Sequence, residues 1–401
     1  MQTNDTGLIF QSSRQLAEAS NREKKIVAAE SIGNPIKVSS KVLDLVIRDQ
    51  DAWTAESGWQ ARRLDLNVSK VKHILMLTEQ TGKTRMLYKG HKGPVTSLSL
   101  HQVQGDKAWL ALFTGSWDKT IRVWDALSGD LVGVLEGHSD FVKSVTVLPT
   151  VPPLLLSTSS DRTFRLWDLS PLEKRELPTV RQTVKEHTRP VESATFEVSS
   201  HAEPTERTVD VWTGDSLGAI KQWSVKQIVP DSHTPLTFVT DKEAHETSVS
   251  EVVAVEDGLW SASMDNTAKL QGASSQKLVH PSYVKSILPT PQGLPYIVTG
   301  CEDENIRLWD ANNLDAKPKP LSVVEGHCGE VSALGVWIKD EDGKKVVNVV
   351  SGSLDGTLRR WGLQELLKPR KLNYDPVKET DDVGLTEEEE RELAELMSDS
   401  D

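Results

Sequence analysis

A segment that ends in tryptophan recurs along the chain. The four closest copies are Thr114–Asp125 (Thr-Gly-Ser-Trp-Asp-Lys-Thr-Ile-Arg-Val-Trp-Asp), Ser157–Asp168, Thr299–Asp310 and Ser351–Trp361. Two weaker copies are Thr213–Trp223 and Ser261–Gln271. The final tryptophans, or the Gln271 that replaces one, are 43, 56, 48, 38 and 52 residues apart. Self-similarity at such a period indicates a repeat architecture in which each unit buries its faces against its neighbours.

Each copy has the pattern of two strands joined by a tight turn. Apolar residues precede it in Trp109–Phe113 and alternate inside it at Ile121 and Val123, which is typical of strands. The Asp-Lys and Asp-Gly pairs favour a hairpin turn. Upstream of the copies stands Gly-His or a weaker version of it, four residues before a valine: His91, His138, His187, His245, His280 and His327.

Together these motifs resemble the WD-repeat β-propeller family, over residues 35–361. The resemblance implies an all-β, seven-bladed WD-repeat β-propeller, with a degenerate first blade at Thr54–Asp65 in which Leu64 replaces the tryptophan. Because no strand pattern follows Trp361, we expect Pro35–Ser39 to supply the outer strand of the last blade and close the ring. The expected domains are a partly helical or disordered extension (1–33), the propeller (34–366) and an acidic tail (367–401) with a short helix at 386–397.

In the resembled family, His, Ser/Thr, Asp and Trp form a buried hydrogen-bonded tetrad in each blade. Carried onto this chain, the tetrads are His91, Thr114, Asp118, Trp124; His138, Ser157, Asp161, Trp167; His280, Thr299, Asp303, Trp309; and His327, Ser351, Asp355, Trp361. Blade four is expected to be incomplete because Leu217 takes the Asp position, and blade five because Gln271 replaces the tryptophan. Since an enzyme needs one active site and not six, we interpret these groups as structural.

Other catalytic chemistry is not indicated. The sequence has no phosphate-binding Gly-rich loop, no Gly-x-Ser-x-Gly elbow and no kinase signature, so we expect no catalytic residues, no metal and no cofactor. Nor does any copy read Trp-Asp-x-Arg, which disfavours a ubiquitin-ligase substrate receptor. A non-catalytic protein without a small-molecule substrate is the prediction.

Charge is concentrated at one end. Residues 372–401 hold twelve acids and two bases, whereas the preceding 371 residues hold 47 acids and 44 bases. A body without a basic excess argues against direct nucleic-acid binding. No apolar run approaches the roughly 18 residues of a membrane helix, and the N-terminus does not fit a secretory signal. With two cysteines, Cys301 and Cys328, a cytoplasmic or nuclear location is expected.

A partner-binding face can be placed by the same resemblance. In WD-repeat propellers, residues flanking the first-strand valine or preceding the turn Asp point to the narrower face, which commonly binds partners. On this chain the apolar and basic members of that set are Phe141, Lys143, Tyr283, Lys285, Trp117, Met264 and Leu354. Aromatic residues are enriched at binding hot spots, so we expect other proteins as partners. The alternative is that some of these rings pack against neighbouring loops.

An enzyme is disfavoured, and two other classes of function remain open for a propeller with an acidic tail. The first is a scaffold or adaptor subunit of a cytosolic or nuclear complex. The alternative is a chaperone or biogenesis factor that shields a basic client, such as a ribosomal or histone-like protein, with its tail. The tail begins its expected helix with a Thr-x-x-Glu capping box. Ser398 lies in an acid-flanked context suited to phosphorylation, and a solvated tail without a binding role remains the alternative.

Overall fold

The computed structural model describes residues 13–67, 83–105, 107–199, 206–228, 235–256, 258–272, 275–291, 293–314, 318–341 and 343–376. The tail helix expected at 386–397 and Ser398 lie outside these residues. The chain divides into two compact units, of which Ser31–Lys371 is the larger. The smaller one contains helix α1 (Ser13–Ala29), where the ammonium of Lys24 donates a 2.9 Å hydrogen bond to the carbonyl oxygen of Asp375.

In the larger unit the described residues form 28 strands in seven antiparallel sheets of four strands each. β1 is Ile36–Lys37, and blade one follows with β2 (Val42–Arg48), β3 (Asp51–Glu56), β4 (Gln60–Asp65) and β5 (Thr84–Lys89). Blade two has β6 (Val95–Val103), β7 (Trp109–Ser116), β8 (Ile121–Asp125) and β9 (Leu131–Leu135). Blade three has β10 (Val142–Leu148), β11 (Leu154–Ser159), β12 (Phe164–Asp168) and, after a 3-10 helix at Ser170–Lys174, β13 (Thr179–Val184).

The remaining blades repeat this order. Blade four has β14 (Val191–Ser199), β15 (Glu206–Asp215), β16 (Ala219–Ile228) and β17 (Thr237–Glu243); blade five has β18 (Val249–Val255), β19 (Gly258–Ser263), β20 (Thr267–Gly272) and β21 (Gln276–Val279). Blade six has β22 (Val284–Pro289), β23 (Tyr296–Cys301), β24 (Ile306–Asp310) and β25 (Ser322–Val324). Blade seven has β26 (Val331–Glu341), β27 (Lys344–Ser353) and β28 (Thr357–Gly362), and the short helix α2 (Leu363–Leu366) follows. The predicted seven-bladed propeller is confirmed.

The ring closes through the chain segment that precedes blade one. β1 pairs antiparallel with β28, with Ile36 opposite Leu358 and Lys37 opposite Thr357, so β1 is the fourth strand of blade seven. The backbone N–H of Val38 donates to the carbonyl of Gly356 at 2.8 Å and extends the pairing beyond the strand. The predicted closure by Pro35–Ser39 is confirmed, and because β1 covers it, β28 is not left as an exposed edge strand.

The second strand of each blade lies between two neighbouring sheets and is therefore buried on both sides. In β7 every residue from Trp109 to Ser116 is buried, which explains why this stretch is a continuous apolar run and not a strict alternation. Glycine inside such a strand permits close contact with the next blade. A Cβ on Gly115 would lie 2.7 Å from Cγ1 of Val142 in blade three. The hydrophobic core therefore lies mainly between blades.

Candidate functional site

The predicted tetrad forms a continuous hydrogen-bonded chain in blade two. Nδ1 of His91 lies 2.8 Å from Oδ2 of Asp118, and Nε2 of His91 lies 2.7 Å from Oγ1 of Thr114. The indole N–H of Trp124 donates to the same Oγ1 at 2.9 Å. The corresponding bonds in blade three and blade seven, from His138 and His327 to the tryptophans, span 2.7–3.0 Å.

The acidic member of each tetrad is strongly stabilised as a carboxylate. Burial opposes ionisation of Asp118, but hydrogen bonds from His91, the Thr120 hydroxyl and the Lys92 backbone N–H outweigh it and hold the pKa of this carboxyl below its usual range. The same balance lowers the pKa of Asp265 in blade five to about 2. These carboxylates are saturated by intramolecular bonds, and their arrangement is that of structural supports.

Blade four differs from the prediction because its tetrad is complete. Nδ1 of His187 lies 3.1 Å from Oδ2 of Asp215, its Nε2 lies 2.8 Å from Oγ1 of Thr213, and Trp223 donates to Thr213 at 2.9 Å. Leu217 does occupy the expected Asp position. The carboxylate is supplied instead by Asp215, two residues earlier, so the expectation of an incomplete blade was wrong.

Blade six differs in the opposite direction, because its tetrad, predicted to be complete, lacks the His–Asp bond. His280 contacts Thr299 at 2.9 Å, but its Nδ1 makes no hydrogen bond, and Asp303 pairs with the guanidinium of Arg307. Pro281 gives the physical reason. In blades two, three, five and seven the residue after His donates its backbone N–H to the Asp at 2.9–3.2 Å, and proline has no such donor.

The two remaining blades hold partial or alternative networks. In blade five, His245 contacts Asp265 at 2.9 Å and Ser261 at 2.8 Å, and Gln271 stands where the tryptophan would be, as predicted. In blade one, the fully buried Glu56 accepts hydrogen bonds from Thr54 at 3.1 Å and from Arg62 at 2.6 Å. No group of three or more potential metal ligands occurs in the part of the chain that the structure describes.

Backbone hydrogen bonds place the predicted partner-binding residues at one end of the propeller. The residue before the first-strand valine accepts from the residue before the turn Asp: Trp117 donates to Pro94 at 3.0 Å, Met264 to Ser248 at 3.0 Å and Leu354 to Glu330 at 3.0 Å. In blades three and six, Phe141 and Tyr283 are the acceptors, at 2.9 and 3.1 Å from Ser160 and Glu302. We call this end, defined by Trp117, Phe141, Met264, Tyr283 and Leu354, the turn face.

Two aromatic side chains from adjacent blades stack on the turn face. The rings of Trp117 and Phe141 have centroids 5.1 Å apart and an interplanar angle of 18°. Their side chains remain 43% and 38% exposed, and Met264 is 45% exposed. Each ring thus covers part of its neighbour while a large apolar surface stays in contact with water.

The other predicted residues of the turn face already have partners or are less exposed. Nζ of Lys143 lies 3.0 Å from Oε2 of Glu192, so this ammonium is neutralised by the neighbouring blade. The Tyr283 hydroxyl donates to Oε2 of Glu330 at 3.4 Å, and burial together with that carboxylate raises the pKa of Tyr283 to about 12. Lys285 and Leu354 are half-buried and line the central channel.

The central channel is a cavity of about 470 Å³ to which all seven blades contribute. Four carboxylates line it, those of Asp44, Glu192, Glu251 and Glu330. Two of them link their own blade to the next: Asp44 accepts the backbone N–H of Leu98 at 2.8 Å, and Glu251 accepts that of Ile287 at 2.7 Å. Ser97 does the same for Val145 at 3.2 Å. Burial raises the pKa of Glu251 to about 8, and the charge of Asp44 adds to this shift.

Sequence reasoning missed several residues of these sites. Asp215 could have been found because it is the carboxylate nearest to the expected turn position in blade four. Pro281 was a visible sign that blade six lacks a donor. Trp59, 55% exposed at a positive φ of 64°, occupies the blade-one turn on the same side, and only its turn position in the degenerate repeat could have indicated it.

The chain is a WD-repeat β-propeller protein. Four segments, 82–125, 129–168, 274–310 and 318–362, match the family model of the WD domain, G-beta repeat. They correspond to blades two, three, six and seven, and the three blades outside the match are those with an altered turn or a missing tryptophan. Propellers of this family generally serve as protein-interaction scaffolds.

Relatives with the same repeats cover different shares of this chain. An uncharacterized WD repeat-containing protein of Schizosaccharomyces pombe is 29% identical over 408 residues that span 100% of both chains. WD repeat-containing protein 37 of Homo sapiens is 25% identical over 70% of this chain and 51% of its own length. The nuclear distribution protein nudF of Aspergillus niger is 24% identical over 84% of this chain and 79% of its own. Among the described helices, none has the length and apolar character needed to span a membrane.

Proposed function

We propose that this protein is a non-catalytic scaffold or adaptor that binds a protein partner on its turn face. The observation that carries the proposal is the stack of Trp117 on Phe141, in which two large rings from adjacent blades are ordered against each other and still exposed. A stacked pair loses little conformational freedom on binding, because its rotamers are already restrained. Met264 in blade five extends the apolar surface across the channel.

A protein partner fits the polar groups around this stack. Lys143, Glu192, Tyr283 and Glu330 surround the channel mouth, with their charges paired or hydrogen-bonded. An apolar centre with a polar, already satisfied rim is the usual composition of a protein interface. We therefore propose a partner segment with apolar side chains at its centre. Because Glu192 neutralises Lys143, this lysine adds little attraction for an acidic peptide.

The proposal of a non-enzymatic role rests on what the recurring polar groups do. The histidines are buried, and in blades two, three, four, five and seven they are hydrogen-bonded to their carboxylates, whereas in blade six Asp303 bonds to Arg307 and not to His280. We also propose a reducing compartment, cytoplasm or nucleus, since the two cysteines, Cys301 and Cys328, are buried and not joined in a disulfide.

Affinity purification of the tagged full chain, followed by mass spectrometry, identifies the partner, and variants then locate its site. The double variant Trp117→Ala/Phe141→Ala should weaken capture by about thirtyfold, since loss of a central aromatic anchor commonly costs about 2 kcal/mol or more. The matched control is Leu127→Ala, which removes a side chain that is 56% exposed in the β8–β9 connection at the opposite end. Equal capture by the double variant and the control would refute the turn face as the site.

Deletion of Leu385–Asp401 tests the alternative of a chaperone or biogenesis factor that shields a basic client. For a scaffold that binds through its turn face, this deletion should change association rate and salt sensitivity more than residual affinity, because long-range charge mainly steers encounter. If the deletion abolishes capture and the double variant leaves it intact, the acidic tail is the recognition element and the alternative holds.

A further inference from the structure

In five blades the tryptophan near the end of the third strand packs against the same two positions of the preceding blade. It shares a hydrophobic cluster with a cross-strand pair, which is formed by the first or second residue of that blade's third strand and its partner in the outer strand. Trp124, for example, shares a hydrophobic cluster with Ala61 and Tyr88 of blade one. The other pairs and their tryptophans are Ile121/Leu135 with Trp167, Phe164/Val184 with Trp223, Ala268/Leu278 with Trp309, and Ile306/Val324 with Trp361.

Between blades four and five, both sides of this contact are altered. Gln271 replaces the tryptophan, and the cross-strand pair of blade four is Ile220 with Lys242, where the five pairs above have apolar or aromatic residues. In blade one, where the tryptophan is lost but the cross-strand pair is apolar, Leu64 still packs in a cluster with Ile36 and Leu358. Where both sides change, between blades four and five, the structure contains a cavity of about 180 Å³, which we call the indole slot.

The indole slot has apolar and polar walls and an unsatisfied donor. Its apolar walls are Ile220 and Trp212 of blade four and Leu259 of blade five, and Gly258 and Gly272 line it without side chains. The polar lining residues are Gln222, Thr240 and Lys242 of blade four, together with Gln271. Nε2 of Gln271 is buried and has no hydrogen-bond partner. A buried amide donor left unpaired costs free energy, so a ligand that offers it an acceptor gains affinity.

We propose that the indole slot binds a tyrosine side chain of a protein partner. The volume suits a single side chain, and blades two, three, four, six and seven already hold an aromatic ring at the equivalent contact. Of the three large aromatic residues, tyrosine carries an oxygen that can accept from Nε2 of Gln271, the tryptophan indole is a donor only, and phenylalanine has no polar atom. Tyrosine is also enriched at interface hot spots. The inference shares with the proposed function the premise that the partner is a protein, but it uses a different site.

Binding of N-acetyl-L-tyrosinamide and N-acetyl-L-phenylalaninamide to the full chain, measured by saturation-transfer difference NMR titration, tests the assignment. We expect a dissociation constant on the order of 1 mM for the tyrosine amide, as is usual for a ligand of this size. The phenylalanine amide should bind about three- to tenfold more weakly, because it leaves Nε2 of Gln271 unpaired. Absence of binding overturns the proposal, and equal binding of the two amides overturns the choice of tyrosine.

Two substitutions at Gln271 locate the binding site. Gln271→Trp restores the residue found in five other blades and should abolish binding by filling the slot. Gln271→Leu removes the donor, so any remaining binding should show no preference for the tyrosine amide. If thermal unfolding shows that Gln271→Trp is folded, binding of the tyrosine amide to this variant at wild-type strength overturns the proposal. If Gln271→Trp does not fold, a preference of Gln271→Leu for the tyrosine amide over the phenylalanine amide overturns the proposal instead. The Trp117→Ala/Phe141→Ala variant should bind the tyrosine amide normally, which separates this inference from the proposed function.

Discussion

Asp215 lies 3.1 Å from His187 through its Oδ2 atom, and with its Oδ1 atom it accepts the backbone N–H groups of Leu217 at 2.9 Å and Ala219 at 3.1 Å. In blade two these roles are divided between Ser116, which accepts the turn N–H of Asp118, and Asp118, which binds His91 and the N–H of Thr120. In blade four the single carboxylate of Asp215 therefore accepts hydrogen bonds both from the turn backbone and from the histidine, which in blade two involve two residues.

Asp215→Ala should accordingly lower the free energy of unfolding, although Asp215 lies outside the usual motif position. It leaves the ring nitrogen of His187 and two turn N–H groups without their acceptor, and each buried polar group left unpaired costs about 1–3 kcal/mol. We expect a loss of unfolding free energy comparable to that of Asp161→Ala in blade three, measured by urea denaturation. Leu217→Ala is the control, since this side chain is 55% exposed. A loss no larger than the control's would contradict the assigned role.

The repeat made the architecture predictable, because each copy specifies a blade and seven blades with one missing outer strand imply closure by an earlier segment. The residues that depart from the template were harder to predict. Because Leu217 occupies the expected position, the motif does not point to Asp215, two residues earlier. At Asp303, the motif residue is present, but Pro281 removes one donor and Arg307 supplies another. A motif reports which residues are present, whereas the hydrogen bonds depend on neighbours outside it.

His280, the tetrad histidine of blade six, has no carboxylate partner on Nδ1 and should therefore make the free energy of unfolding depend measurably on pH. Burial and the nearby positive charge of Arg307 lower the pKa of His280 to about 4. Because the folded pKa lies below the unfolded value of about 6.5, the unfolded chain binds a proton first, and stability falls as pH decreases from 6.5 towards 4. His280→Gln, which retains an amide able to contact Thr299, should remove about 2 kcal/mol of the stability difference between pH 7 and pH 5.

Urea titrations of wild type and His280→Gln at the two pH values check this prediction. The tetrad carboxylates do not interfere, since their lowered pKa values place their titration below this range. His245 and His327, whose pKa values burial also lowers, are present in both proteins and cancel in the comparison. Parallel pH profiles for the two proteins would show that His280 is not the sensitive group.

Glu251 should produce the opposite pH dependence. Its folded pKa of about 8 lies above the ordinary value of 4.5, so the protonated form is favoured in the channel and stability falls as pH rises from 4.5 to 8. Glu251→Gln keeps an oxygen that accepts the N–H of Ile287 and carries no charge. It should exceed wild type in stability at pH 8, by a difference on the order of 3 kcal/mol, and equal it near pH 4.5.

The comparison for Glu251 has an internal control in Asp44, which lines the same channel and whose pKa burial also raises. Asp44→Asn removes the charge that contributes to the shift at Glu251, so it should lower the pH at which the decline caused by Glu251 is complete, whereas the start of that decline near pH 4.5 is set by the unfolded chain. Thermal unfolding between pH 5 and pH 8.5 provides the measurement. If Glu251→Gln is less stable than wild type at pH 8, the carboxylate is ionised there and the assigned pKa direction is wrong.

Ring closure depends on a strand of two residues whose side chains have opposite environments. Ile36 is 1% exposed and packs with Leu64 and Leu358, whereas Lys37 points to solvent. Ile36→Ala should therefore cost about 2–5 kcal/mol through the lost burial and the cavity that it creates. Lys37→Ala, in the same strand and with the same backbone pairing, should change stability by less than about 0.5 kcal/mol. The hydrogen-exchange rate of the β28 amides should rise in Ile36→Ala only, because the loss of the Ile36 side chain frees β1 from blade seven. Faster exchange in both variants, or in neither, would mean that backbone pairing and not the buried side chain holds the ring closed.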